Sequence, residues 1–263
     1  FYMDGEYVTS RVLIVKNSLR EGPGLLRDVL QEHRIGADVI EIERGERIPD
    51  LDAYAAMVVL GGPASANDSS EPVNHVLQRM GEALTRNMPL LGVCLGLQML
   101  VKVAGGKVVP APEREIGFTD ANGAPYVNDL THLGREDPLF AGVPQRFRVF
   151  HLHGESVELT GVTQLLATGP GCPNQVVRVG TNAYGMQGHM ELVPEMLAVW
   201  GAQDEMLSGH SIAELQHELA MIHDQYAKNS RRIYSNFLAI ASLIPTLDVT
   251  TTTTAQAAQH FRS

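Results

Sequence analysis

Cysteine is nearly missing from this chain: two occur in 263 residues, Cys94 and Cys172, in settings too unlike each other for a disulfide framework. Positive charge is also scarce. Twenty Lys and Arg against thirty Asp and Glu give a formal net charge of -10, which argues against a phosphate backbone or an anionic membrane as the main partner. Long hydrophobic runs are absent, the longest apolar stretches such as Met57–Leu60 and Pro89–Leu97 falling far short of the ~20 residues that a membrane span needs. The N-terminus carries Asp4 and Glu6 ahead of a strand-like run, so it has neither the basic start nor the apolar centre of a secretion signal. The expectation is a soluble, cytoplasmic protein that binds neither nucleic acid nor membrane and has a cysteine available for chemistry. A hydrophobic content of 44% suffices for one large α/β domain or two small ones.

What is present is a repeated passage from strand to helix. Arg11–Lys16 is a β-branched run, and Gly24–His33 follows with Leu25, Leu26, Val29 and Leu30 at helical spacing. Ala37–Ile42 and Ala56–Leu60 read as strands, Val73–Leu84 as a helix, Pro89–Val93 as a buried strand and Leu95–Ala104 as the helix after it. Such alternation predicts a doubly wound, mostly parallel sheet over the first ~110 residues. From Lys107 to Gln187 short strand-like runs take over, among them Phe147–Leu152, Gln164–Ala167 and Gln175–Val179, and these are expected to extend the sheet. Beyond Pro194 the pattern is helical, with one helix expected over Ile212–Tyr226 and a second over Arg232–Leu243. The domain reading is a main domain over residues 1–200, a C-terminal helical segment packing on it over 201–244, and an extended tail over 245–263 that includes Thr250–Thr254.

Three short motifs carry candidate chemistry. Gly92-Val93-Cys94-Leu95-Gly96 lies between a buried strand and a helix, the cysteine form of a nucleophile elbow. Glycines two residues to either side permit a sharp turn, the helix N-terminus favours a thiolate, and the Leu95 N–H can face a developing oxyanion. Taken alone, the pattern equally fits a small buried cysteine at a tight turn. Gly61-Gly62-Pro63 follows the apolar run Met57–Leu60; its amides point towards the crevice of an open α/β sheet, making Gly62 the second candidate oxyanion donor, or the segment is a plain turn. In Gln187-Gly188-His189-Met190-Glu191, an extended backbone puts His189 and Glu191 on one face, where the acid can orient the imidazole. A surface His and Glu is the competing reading. His151-Leu152-His153-Gly154-Glu155 offers a rival His-x-Glu and an H-x-H spacing suggestive of metal, which would need a third ligand from elsewhere in the fold. The preferred reading of His153, Gly154 and Glu155 is a substrate-side loop.

Taken in order, GGPASAND (Gly61–Asp68), GVCLGLQ (Gly92–Gln98), EIGF (Glu115–Phe118), HLHGES (His151–Ser156) and QGHME (Gln187–Glu191) resemble the class I glutamine amidotransferases, in the stand-alone, GMP-synthase-like branch. The resemblance runs from about Arg11 to Trp200. It implies a flavodoxin-like fold with helices on both faces of the sheet. It also implies Cys94 as nucleophile, His189 as base and then acid, Glu191 as third member of the triad, Gly62 and Leu95 as oxyanion amides, and Gln98 as a substrate contact. Cys172, in GCPNQ, receives no catalytic role. Four positions depart from the family pattern: Gly188 and Met190 stand where an aromatic residue and a proline are usual, Glu155 replaces an aspartate, and Phe118 a tryptophan.

The expected reaction is hydrolysis of the γ-amide of glutamine, or of a γ-glutamyl amide, through a thioester on Cys94 and without metal or organic cofactor. No G-x-x-x-x-G-K-[ST] loop occurs, so a synthetase receiving the ammonia would be a separate partner. The Gly188 form is similar to plant-type γ-glutamyl peptidases and favours the alternative of a self-sufficient γ-glutamyl hydrolase. A non-catalytic binding or regulatory protein with the same fold is the alternative of another class.

Overall fold

Strand β1 (Arg11–Lys16) buries four consecutive residues, Val12 to Val15, as a strand covered on both faces must. Its alternation divides the interior in two. Val12 and Ile14 face one apolar cluster, Leu13 and Val15 the other. The computed structural model describes residues 11–246, preceded by a small ladder of Tyr2–Met3 with Glu6–Tyr7. The threonine run, and with it the expected extended tail from residue 247 onward, lies outside the described residues.

After β1 come α1 (Gly24–Glu32), β2 (Gly36–Glu41), β3 (Ala56–Val59), α2 (Glu71–Thr85), β4 (Leu90–Val93) and α3 (Leu95–Val103). Then follow β5 (Lys107–Gly117), β6 (Val127–Leu130), α4 (His132–Glu136), β7 (Arg146–Arg148), β8 (His151–Glu158), β9 (Thr163–Thr168), β10 (Val176–Val179), β11 (Ala183–Met186), α5 (Pro194–Gln203) and α6 (Ile212–Ile240). Nine strands form the main sheet in the order β2-β1-β3-β4-β11-β10-β9-β6-β7. The first five are parallel, in flavodoxin-like order with β11 in the fifth place, and the remainder are antiparallel. Helices α1, α5 and α6 belong to one cluster and α2 and α3 to the other, so both faces are covered as expected. Among the described residues no helix is long and apolar enough to cross a membrane.

Two expectations need correction. Phe147–Leu152 is not one strand of the main sheet: β7 ends at Arg148, Val149 and Phe150 turn into the core, and His151 opens β8. Strand β8 pairs instead with β5 in a separate antiparallel ribbon, whose register shifts between His153 and Glu155. The ends of the chain differ too, because the two C-terminal helices are one. The polar stretch that interrupts the apolar stripe is absorbed within α6: Ser230 Oγ donates to Tyr226 O (2.8 Å), Gln225 Nε2 donates to Asn229 Oδ1 (2.8 Å), and Arg231 pairs with Asp28 and Glu32 of α1.

Candidate active site

The carboxyl ends of parallel strands are where open α/β sheets present their loops to a ligand, and here β1, β3, β4 and β11 each deliver residues to one place. Cys94 follows β4 and begins α3 with φ 53° and ψ -107°, a conformation a non-glycine residue adopts only when its surroundings impose it. The surroundings are the two flanking glycines. A Cβ on Gly92 would overlap the Gly96 carbonyl, and one on Gly96 would overlap the Val59 carbonyl, so only glycine lets strand, turn and helix close this tightly. The Leu95 N–H, first in α3, has no acceptor within the helix and is free for an anion. Gly62, after β3, lines the same cleft.

The His189 ring lines the same cleft as Cys94 and lies close enough for the sulfur to help raise the imidazole pKa, while Cys94 Sγ itself lies 3.8 Å from Leu152 O. His189 Nδ1 lies 2.6 Å from Glu191 Oε1, leaving Nε2 for the sulfur. His189 and Glu191 are each 1% exposed. Burial opposes a charge on His189, but the Glu191 carboxylate and the Cys94 partner outweigh it and hold the imidazole pKa well above its ordinary value. An imidazolium beside the sulfur favours the thiolate. The His189 backbone bridges Phe150, donating N–H to O over 2.8 Å, while its carbonyl accepts from Tyr226 Oη of α6 at 2.7 Å. The Glu191 carbonyl accepts from the Leu25 N–H of α1 at 2.8 Å.

A cleft of about 610 Å³ brings together Gly62, Cys94, Leu95, Gln98, His153, Gly154, Glu155 and His189, with Glu191 standing behind His189. Gln98 Nε2 donates to Glu155 O at 3.2 Å, tying α3 to the ribbon, and Glu155 Oε1 accepts from Ser65 Oγ at 3.0 Å. His153 enters the cleft wall with both nitrogens engaged inside the protein: Nδ1 faces Glu155 O (3.0 Å) and Nε2 faces Glu115 Oε2 (2.9 Å). Both partners accept, so the ring holds the loop in place rather than offering a free nitrogen to a ligand.

The third ligand that the His151-x-His153 spacing requires does exist, since donor atoms of Glu115, His151 and His153 lie within 4.8 Å of one another. Glu115 is, however, already engaged through both oxygens. It accepts from Gln175 Nε2 (2.9 Å) and Cys172 N (3.2 Å) besides facing His153, and burial together with the His153 and His189 charges drives the His151 pKa well down, keeping that ring neutral. Glu115 and His153 form a hydrogen-bonded support beneath the HLHGES strand, and His151 packs beside them with its buried Nδ1 unpartnered among the described residues. Cys172 belongs to this support, with Sγ 2.9 Å from Ser156 Oγ and a thiol pKa pushed up by burial. Both cysteines are free.

Three further residues of the site have no role assigned from the sequence, although Gln187 and Glu115 open the QGHME and EIGF motifs. Gln187 Nε2 points at Cys94 Sγ (3.8 Å), Glu115 anchors His153, and Glu21, in the loop after β1, is 3% exposed on the cleft wall. The signal that marks Glu21 is its position, an acid shortly beyond the carboxyl end of the first parallel strand.

The glutamine amidotransferase class-I family model matches residues 25–198. The glutamine amidotransferase-like protein YfeJ of Salmonella typhimurium is 33% identical over 177 residues, 65% of this chain and 68% of that protein. A glutamine-hydrolyzing GMP synthase of Thermomicrobium roseum is 31% identical over 137 residues, 52% of this chain but only 23% of its own length. The crystal structure of a glutamine amidotransferase from Thermotoga maritima superposes with a TM-score of 0.79 at 25% identity, covering 88% of this chain and 99% of that one.

Proposed function

The chain belongs to the class I glutamine amidotransferases, and from that premise we propose that it hydrolyses the γ-amide of glutamine, or of a γ-glutamyl amide, through a thioester on Cys94. The observation that carries the reading is the strained Cys94 elbow set against the buried His189–Glu191 pair. Cys94 thiolate attacks the γ-carbonyl, and the amides of Leu95 and Gly62 take the negative charge of the tetrahedral oxygen. His189 gives its proton to the departing nitrogen as the C–N bond breaks, leaving the γ-glutamyl thioester. Water then loses a proton to His189 as it attacks, glutamate leaves, and the thiolate returns. Glu191 keeps Nδ1 protonated and the ring aligned throughout. Gln98 and Glu155 form the wall that holds the rest of the substrate, with Gly154 allowing its close approach and His153 fixing the wall's shape.

Two fates of the nitrogen follow from this chemistry. The GMP synthase relatives support ammonia release to a separate synthetase. The alternative is a self-sufficient hydrolase of γ-glutamyl amides, for whose larger leaving group the open cleft offers room. Rapid acid quenching of the protein with glutamine or a γ-glutamyl amide, followed by peptide mass mapping, tests the shared intermediate. A γ-glutamyl adduct on the Cys94 peptide is expected, and turnover with the adduct mapped to any other residue contradicts the mechanism.

A further inference from the structure

The mechanism leaves Glu21 unused, yet its position is built with care. Arg20 on the same loop donates to Gln203 O (3.0 Å) and pairs with Asp204 (2.5 Å), its carbonyl accepts from Trp200 Nε1 (3.0 Å), and Glu21 N donates to Ser18 O (3.1 Å). The loop is thus pinned to α5 and to the turn after it. Within this frame a Glu21 carboxylate oxygen, a His189 nitrogen and a Glu191 carboxylate oxygen all lie within 4.8 Å of one another. Gly61 marks how close the groups stand: a Cβ there would lie 3.2 Å from His189 Cε1, 3.4 Å from Glu21 Oε2 and 3.5 Å from Cys94 Cβ.

Glu21 Oε2 has no hydrogen-bond partner among the described residues, and the nearest cation, Arg20 Nε, is 3.8 Å from Oε1. A buried carboxylate without partners is costly, and glutamine or methionine would fill the same space more cheaply if filling it were the purpose. What glutamine lacks is a charge that can appear and disappear. Burial, reinforced by Glu191 and Asp204 and opposed by His189 and Arg20, pushes the Glu21 pKa up to about 7, so that the group titrates across neutral pH. The groups facing it are His189 and Glu191 after β11, Arg20 on its own loop, Asp204 after α5, and Cys94 across Gly61.

We propose that Glu21 is a positioning residue acting through His189: ionised, it holds the imidazole in the protonated form that keeps Cys94 a thiolate, and protonated, it releases that hold. The nucleophile is thereby coupled to pH by a carboxylate outside the Cys94–His189–Glu191 set. The inference rests on the Cys94–His189 pair of the proposed function, so its test is chosen to need no turnover.

The test is the rate of Cys94 alkylation by iodoacetamide from about pH 5 to about pH 9, followed by peptide mass mapping so that Cys172 does not contribute, in wild type, Glu21→Gln and Glu21→Asp. In wild type the rate should rise in two steps, one centred near 7. Glu21→Gln should lose that step and react roughly tenfold more slowly at about pH 8, as the charge beside His189 is gone. Glu21→Asp, which keeps a carboxylate but withdraws it, should keep a step of smaller amplitude at a displaced midpoint, and it carries the test alone if the Gln variant fails to fold. A Glu21→Gln profile parallel to the wild type's, or a Glu21→Asp step unchanged in midpoint and amplitude, overturns the proposal. Two-step alkylation in a protein without hydrolytic turnover would sink the proposed reaction and leave this inference standing.

Discussion

Gly188 shows how a missing side chain is replaced from elsewhere. The family's usual aromatic residue beside the histidine is absent, and the space is taken by His151 and Val149: a Cβ on Gly188 would overlap Val149 Cγ2 and lie 2.9 Å from His151 Cε1. Restoring the aromatic residue should therefore harm the protein. Gly188→Phe is expected to cost about 1–3 kcal/mol through overpacking, read as a lowered urea midpoint; an unchanged midpoint would show that Val149 and His151 move aside freely. Glu21 makes a prediction of opposite sign. Its pKa of about 7 in the folded protein lies above the ordinary 4.5, so the folded state holds its proton more tightly than the unfolded one and stability falls as pH rises between these values. Glu21→Gln should match wild type at about pH 4 and exceed it by up to about 3 kcal/mol at about pH 8, measured by denaturant unfolding at both pH values. Equal stability at the higher pH would mean that folding does not raise the Glu21 pKa. The spacing of Gly92, Cys94 and Gly96 was legible because a tight elbow is a local demand, and His189-x-Glu191 because two residues apart can share a face. Glu21 and the roles of Gln187 and Glu115 were not, because their partners lie 38 to 170 positions away and only folding brings them near.

Helix α6 is the element whose contribution sequence periodicity conveys least. Its apolar stripe announces a packed helix, but its polar atoms decide what it packs for: Tyr226 Oη reaches the His189 carbonyl, and burial together with the Glu191 charge pushes the phenol pKa values of Tyr226 and Tyr234 well up. Tyr226→Phe is expected to cost about 1–3 kcal/mol by leaving that carbonyl unsatisfied and to lower kcat with little change in KM, because the histidine is displaced and the substrate wall is not. A rise in KM alone would place Tyr226 on the binding side instead. Strand β5 escaped the sequence reading because Pro110 and Pro112 lie within it and proline argues against a strand interior. A two-stranded ribbon has exposed edges, however, where a missing N–H does little harm, and among the described residues β5 pairs only with β8. That ribbon carries both Glu115 and His153, so it supports this wall of the cleft.

Across the whole molecule, the doubly wound architecture could be read in advance because each strand-to-helix passage is written in a contiguous stretch of sequence. The order of strands could not, since β11 reaches the fifth parallel position from nearly a hundred residues beyond β4. That placement is what makes the site: β4 supplies the cysteine, its neighbour β11 the histidine and acid, and β3 and β1 on the other side supply Gly62 and Glu21. The central claim is that this convergence hydrolyses a γ-glutamyl amide at Cys94, and the most direct measurement is glutamate release by purified wild type and Cys94→Ala from L-glutamine and a panel of γ-glutamyl amides. The account predicts release by wild type and essentially none by Cys94→Ala; equal release by the two proteins would contradict it.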